Sequence, residues 1–379
     1  MNVQKGITVI LLVTLLMSFA ACGGSNLNTS APIDNTNKAL MGGSVQVNSL
    51  SLTGVVSTLA GSAGNLGSAD GTGPLARFNK PVGVTTDGAY LYVTDYTNST
   101  IRKIDIASGS VATLAGIAGT RGTADGNRAT ASFYDPVGIT TDGINLYVAD
   151  STNHTIRKIV IATGAVTTLA GTAGASGSTD GIGTMAKFYF PKGITTDGTN
   201  LYVADAGNNT IRKILIVTGA VSTLVGTAGT SGSADGIGIA AKFSWPEGIT
   251  TDGTSLYVAD GNCTIRKVVI ATGVVTTLAG IAGVSGSADG VGAAASFSTS
   301  KGITTDGTNL YVTDYANFTI RKIVITTGAV TTLAGNVGTM GSTDGTGSVA
   351  SFFLPTGITT DGKSLYVTDT RNHAIRKIQ

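Results

Sequence analysis

Residues 193–205, Gly-Ile-Thr-Thr-Asp-Gly-Thr-Asn-Leu-Tyr-Val-Ala-Asp, carry a Thr-Thr-Asp-Gly tetrapeptide that returns through the chain. Its Asp stands at 87, 142, 197, 252, 306 and 361, at intervals of 55, 55, 55, 54 and 55 residues. A fixed period this long marks a repeat architecture and has to be settled before any shorter motif is read. Within one unit, the β-rich run Gly193–Asp197 meets an Asp-Gly turn and continues as Leu201–Asp205. An Asn-containing turn then leads to Thr210–Ile216, and a Thr-Gly turn to Ala220–Val225. Four strands of about five residues joined by tight turns make an antiparallel meander; they are called A to D below. The only helical turn expected lies around Ala186-Lys187-Phe188.

Four-stranded units repeated radially are the blades of a β-propeller. Six copies predict an all-β, six-bladed propeller over residues 51–379. The phase of the chain predicts how the ring closes. It enters at Val55–Ala60, which reads as a D strand, and ends at Ile375–Gln379, which reads as a C strand. The last blade therefore takes its D strand from the N-terminal side, pairing an edge that would otherwise stay open.

The motif Leu-Tyr-Val-Ala-Asp-x-x-Asn-x-Thr-Ile-Arg-Lys-Ile, preceded by Pro-x-Gly-Ile and a hairpin, resembles the NHL repeat over about residues 52–379. The resemblance implies the propeller fold. It implies no single function, because NHL propellers include protein- and RNA-binding modules and a few enzymes. This chain departs from the pattern by inserting about 20 residues between D and the next A, as in the stretch beginning Gly226-Thr-Ala-Gly. Propellers built on Tyr-Trp-Thr-Asp repeats are a second resemblance.

The repeat disposes of several motifs. Residues 357–364, Gly-Ile-Thr-Thr-Asp-Gly-Lys-Ser, fit the phosphate-cradling pattern G-x-x-x-x-G-K-[ST]. They occupy the slot of residues 193–200, a hairpin with no helix to seat a phosphate. Lys363 is thus a turn residue, and no nucleotide is expected. The Asn-x-Thr triplets at Asn98, Asn153, Asn208, Asn262 and Asn317 read as turns in which Asn bonds its own backbone. His154 and His373, the two histidines, share one repeat position in the B-to-C turn. Cys22 and Cys263 form no disulfide framework or metal motif; Cys263 is read as an unpaired thiol in a shortened turn.

Charged residues are only 12% of the chain, and of 22 acidic residues 18 fall in three six-fold sets, typified by Asp87, Asp95 and Asp70. The paired Arg-Lys of strand C, typified by Arg102 and Lys103, supplies 12 of the 24 basic residues. Such regularity predicts structural roles, with Asp closing turns and Arg pairing an Asp set between or within blades. The alternative, a calcium site in an Asp ring, lacks the D-x-[DN]-x-[DN]-G loop, and neither metal nor cofactor is expected.

The N-terminal segment has a different character. Lys5 precedes an apolar run from Ile7 to Met17, followed by Ser18-Phe19-Ala20-Ala21-Cys22. The run is shorter than the about 20 residues of a membrane span, and it predicts a secretory leader over residues 1–21. The small-small-Cys ending resembles a bacterial lipobox, with Phe19 in place of the usual Leu, and implies lipid on Cys22. Residues 22–50, rich in Asn, Ser, Thr and Gly, read as a tether. Export to a bacterial cell envelope, held by lipid alone, follows as an expectation.

Function can reside only where the repeat breaks. D-to-A inserts and B-to-C turns share one face, here the top, and the A-to-B and C-to-D turns share the bottom. Outside the repeat sets, the top receives nine basic residues against Asp135 and Glu247, and eight of nine additional aromatics. A basic, aromatic face suits an acidic or sugar ligand, or a protein partner. The expected site is the channel mouth, with Lys80, Asp135, Phe190, Lys192, Trp245, Glu247 and Lys301 as candidate ligand-binding residues. The reading is an envelope binding scaffold. The alternative is a hydrolase or lyase of the lactonase type working in the channel, with Asp135 and Glu247, expected in adjacent blades, as its acid–base pair. No nucleophile–base pair is evident, so no catalytic residue is assigned, and export speaks against nucleic acid.

Overall fold

The computed structural model describes residues 49–379. The readings made of residues 1–48, which include the leader, Cys22 and most of the tether, lie outside the described residues. Six antiparallel sheets follow one another. In the third, A is Pro191–Thr196, B is Asn200–Asp205, C is Thr210–Leu215 and D is Ala220–Gly226. The Asp-Gly hairpin is closed by Asp197. Its Oδ1 accepts the N–H of Thr199 at 2.9 Å and of Asn200 at 2.7 Å, while Oδ2 accepts the Tyr202 hydroxyl at 2.8 Å. The same Asp–Tyr pair recurs in every blade.

The inserts do more than connect. Five of the six sheets gain a fifth strand of two residues, Gly181–Ile182 in the third, which pairs outside strand D of the same blade. In the second blade the insert makes only the bridge Gly126–Val166. Four-stranded blades are thus sheathed at the rim, which covers the edge that strand D would otherwise present. The helical turn falls at Gly183–Met185 as one turn of 3-10 helix, just before the Ala-x-Phe motif rather than on it.

A buried ion network ties each blade together. Arg212 of strand C is fully buried and donates Nη1–H to Asp205 of strand B at 2.8 Å and Nη2–H to Asp180 of the insert at 2.6 Å. Its guanidinium also reaches the carbonyls of Lys187 and Thr179 and lies 5.2 Å from the Phe188 ring centre. Asp205 further accepts from Asn208 Nδ2 at 2.7 Å and the Tyr189 N–H at 2.8 Å. Asp180 caps strand D through the N–H and hydroxyl of Thr223. All six blades repeat the double Arg–Asp pairing, always within a blade. This accounts for the structural Asp and Arg sets.

Strands A pack around the axis. A Cβ added to Gly83 would run into the Val137 carbonyl of the next blade. The same collision recurs at Gly138, Gly193, Gly248 and Gly302, and Gly357 meets Val82 to complete the circle. Glycine is required here for close approach, since these positions have ordinary φ. The channel that remains is a cavity of about 70 Å³ lined by the Gly-Ile and Gly-Val pairs of the six A strands.

Closure follows the phase of the chain. Val55–Gly61 pairs with Ala374–Ile378 as strand D of the last blade, and Asp344 caps it through Thr58 as in every other blade. Across the joint, Thr368 Oγ1 donates to the Val82 carbonyl at 2.7 Å and Thr370 Oγ1 to the Pro81 carbonyl at 2.6 Å. Deleting residues 52–61 should expose the edge of Ala374–Ile378 and strip Asp344 of its two bonds to Thr58. We expect aggregation or a fall in Tm of more than about 10 °C, read by calorimetry; an unchanged Tm would show that the strand does not hold the ring. Arg212→Met should leave the Asp205 carboxylate buried and uncompensated, at a cost of about 3–5 kcal/mol, measurable by urea unfolding.

Candidate functional site

The top mouth is built from two rings of residues with left-handed φ. One ring is the residue before strand A: Lys80, Asp135, Phe190, Trp245, Thr299 and Leu354, with φ between 48° and 58°. The other is in the B-to-C turn: Ser99, His154, Asn209, Cys263, Phe318 and His373, with φ from 54° to 70°. Few non-glycine residues adopt this conformation, and large ones do so only where their surroundings impose it. At three blade junctions those surroundings are visible. Trp245 N–H donates to Asn209 Oδ1 at 2.8 Å, Phe190 N–H to His154 Nδ1 at 3.2 Å, and Lys80 N–H to His373 Nδ1 at 3.1 Å. Each bond latches the start of one blade to the turn of the preceding blade.

The residue after the Pro position lies in a bulge between strands A and B, as at Pro191/Ile194, which lifts it out of the ladder. Around the mouth these residues are Val82, Val137, Lys192, Glu247, Lys301 and Thr356. Half the ring is uncharged and half is charged. Lys301 Nζ lies 2.9 Å from Glu247 Oε1 and 5.0 Å from the Tyr315 ring centre. Lys192 stands on the other side of Glu247. Burial and the neighbouring Lys301 charge hold its amine below the ordinary lysine range, while Glu247 and Asp135 act in the opposite sense. Asp135 accepts from the Tyr96 hydroxyl at 3.2 Å and Thr152 Oγ1 at 3.3 Å, with Arg121 at 3.6 Å. Burial and the Asp135 charge push the Tyr96 phenol up to about 12. Asp135 is in the second blade and Glu247 in the fourth, with Lys192 of the third between them. The expectation of adjacent blades is therefore corrected, and a lysine separates the two carboxylates.

An aromatic shelf borders the charged half. Phe190 packs against His154 and Tyr189, each at 4.9 Å between ring centres, and against Trp245 at 6.3 Å. Trp245 remains 41% exposed and Tyr189 38% exposed. Among the described residues, no three His, Cys, Asp or Glu side chains converge to hold a metal ion.

No protein-family model matches the chain. Human NHL repeat-containing protein 2 is 31% identical over 306 residues, 71% of this chain and 42% of that protein. The chain is an NHL-repeat β-propeller. It spans less than half the length of the curated relatives it matches. An auxiliary nutrient binding protein from Bacteroides thetaiotaomicron superposes with a TM-score of 0.66 at 18% identity, over 86% of this chain and 76% of that one. A gluconolactonase from Xanthomonas campestris gives 0.54 at 11% identity, over 85% and 88% of the two chains. Both structures share the fold with this NHL-repeat propeller.

Of the residues singled out in the sequence, Phe190, Lys192, Trp245, Glu247 and Lys301 gather along blades three to five. Asp135 lies within electrostatic reach of Lys192. Lys80 stands apart, at the junction of the last and first blades beside His373 and Arg371. Tyr189 and His154 belong to the shelf and were not among the candidate ligand-binding residues. The only signal for them was that both occupy repeat positions where the copies differ. His154 and His373 accept at Nδ1, so each must be neutral, and burial lowers both pKa values from the ordinary 6.5. A histidine whose folded pKa is depressed contributes no penalty above the unfolded pKa, and stability falls as pH drops below about 6.5. From pH 7.5 to 5 the two histidines should therefore contribute a decline in Tm, set against the buried Asp95-type carboxylates, whose pKa values burial raises and which act in the opposite sense. The His154→Asn/His373→Asn variant, which copies the Asn209 latch, should lose that part of the decline.

Proposed function

We propose that this NHL-repeat propeller is a binding scaffold whose top mouth takes an acidic or carbohydrate ligand of the cell envelope, or a protein partner presenting one. The observation that carries this reading is the broken symmetry of the mouth. Six-fold positions that need only close a ring instead hold Lys192, Glu247 and Lys301 beside an exposed Trp245. A structural neighbour described as a nutrient binding protein is in keeping with ligand capture. The catalytic alternative has less behind it, because Asp135 and Glu247, its candidate acid–base pair, stand two blades apart with Lys192 between them. We further propose that Cys22 carries a lipid that holds the propeller to a bacterial membrane. Trp245→Ala/Lys192→Ala should fold normally and lose capture of envelope components in a pull-down with the full chain. Cys22→Ser should move the protein from the membrane fraction to the soluble one. Undiminished capture by the double variant would place the site elsewhere, and unchanged membrane retention would remove the lipid anchor.

A further inference from the structure

Lys192 differs from the other charged residues of the row. Glu247 is engaged with Lys301, and Asp135 with Arg121, Tyr96 and Thr152. The Lys192 amine, half-buried, has no hydrogen-bond or ion-pair partner among the described residues. The backbone that carries it is held, since the following Gly193 is wedged against the Glu247 carbonyl and Gly248 of the next strand A.

Three demands on a ligand follow. It must be anionic to complement Lys192. A dianionic phosphate would sit beside Glu247 and Asp135 and be repelled, so a single carboxylate fits better. It must carry a flat apolar face, because Trp245 is held in a strained backbone conformation with its ring against Phe190 and part of its surface open. It must also donate a hydrogen bond, because Glu247 can only accept and its Oε2 has no partner among the described residues. Lys192, Trp245 and Glu247 stand at the start of the A strands, above the Gly-Ile and Gly-Val pairs that line the channel, so the ligand lies across the mouth. Resting on the binding role proposed above, we propose that the mouth is a subsite for a uronic acid unit of an acidic glycan. Its carboxylate meets Lys192, its ring stacks on Trp245, and a hydroxyl donates to Glu247. An acidic peptide brings the carboxylate without the flat face or the hydroxyls.

Trp245 is the only Trp of the chain, so its fluorescence reports the site directly. The full chain is titrated with hexagalacturonate, with the methyl ester of the same oligomer and with hexaglutamate, by fluorescence and in parallel by calorimetry. The expected result is saturable binding of hexagalacturonate that perturbs Trp245 and weakens about tenfold or more with Lys192→Met. Lys363→Met, on the opposite face, should leave it unchanged. Equal affinity for the methyl ester, or no effect of Lys192→Met, would overturn the proposal. Binding of hexaglutamate in preference to hexagalacturonate would overturn it in favour of an acidic protein at the same mouth. If no probe binds, the uronate subsite falls. The binding role falls with it only if envelope capture also survives the Trp245→Ala/Lys192→Ala change.

Discussion

The buried arginine of strand C is the interaction on which the rest of the blade depends. One guanidinium joins strand C to strand B through one carboxylate and to the insert through another, and the insert carboxylate in turn holds strand D. A charge taken out of water is costly unless its donors are met and its partner is fixed. Four of the five guanidinium N–H groups meet oxygen here, and the Phe of the Ala-x-Phe motif covers the plane. The insert is therefore part of the blade's frame, which explains why a long segment rich in Gly and Ser is ordered at all. It also explains the sparse surface charge, since a large share of the ionic residues is committed to these networks.

The second constraint is contact between the A strands. Glycine at each inner position lets six backbones meet around the axis and leaves a channel lined by the Gly-Ile and Gly-Val pairs. What remains open is the rim of the mouth. There the side chains before and after the Pro position are free to vary, because neither joins the ion network and the residue after the Pro meets the glycine only through its backbone carbonyl. The charged row and, with Phe190 and Trp245, the heart of the aromatic shelf occupy those two positions.

Much of this was legible in the sequence because the period of the Thr-Thr-Asp-Gly tetrapeptide is long and nearly invariant. The offset of the chain by one strand announced how the ring closes, and the six-fold Asp and Arg sets announced their structural role. The fifth strand was not legible, because two residues such as Gly181-Ile182 have no periodicity to read. The left-handed backbone at Phe190 and Trp245 was hidden for another reason. Residues before proline favour extended conformations, and the latch from the preceding blade overrides that local preference. The order of carboxylates around the mouth could be had by counting blades, and it was the intervening Lys192 that the structure made plain.

The closing strand has a consequence for how the molecule comes into being. Val55–Gly61 is among the first parts of the propeller to be made, and its partner Ala374–Ile378 is the last. Contacts so distant along a chain form slowly, because the loop between them must be gathered first. Throughout synthesis the growing arc thus carries an unmatched edge at either end, and such edges invite association with other chains. The final contact is made only after the whole chain is free to bend round. A chain interrupted before Ala374 would lose more than the outer part of one blade, since Val55–Gly61 would have no strand to pair with and the ring would close on its inner contacts alone.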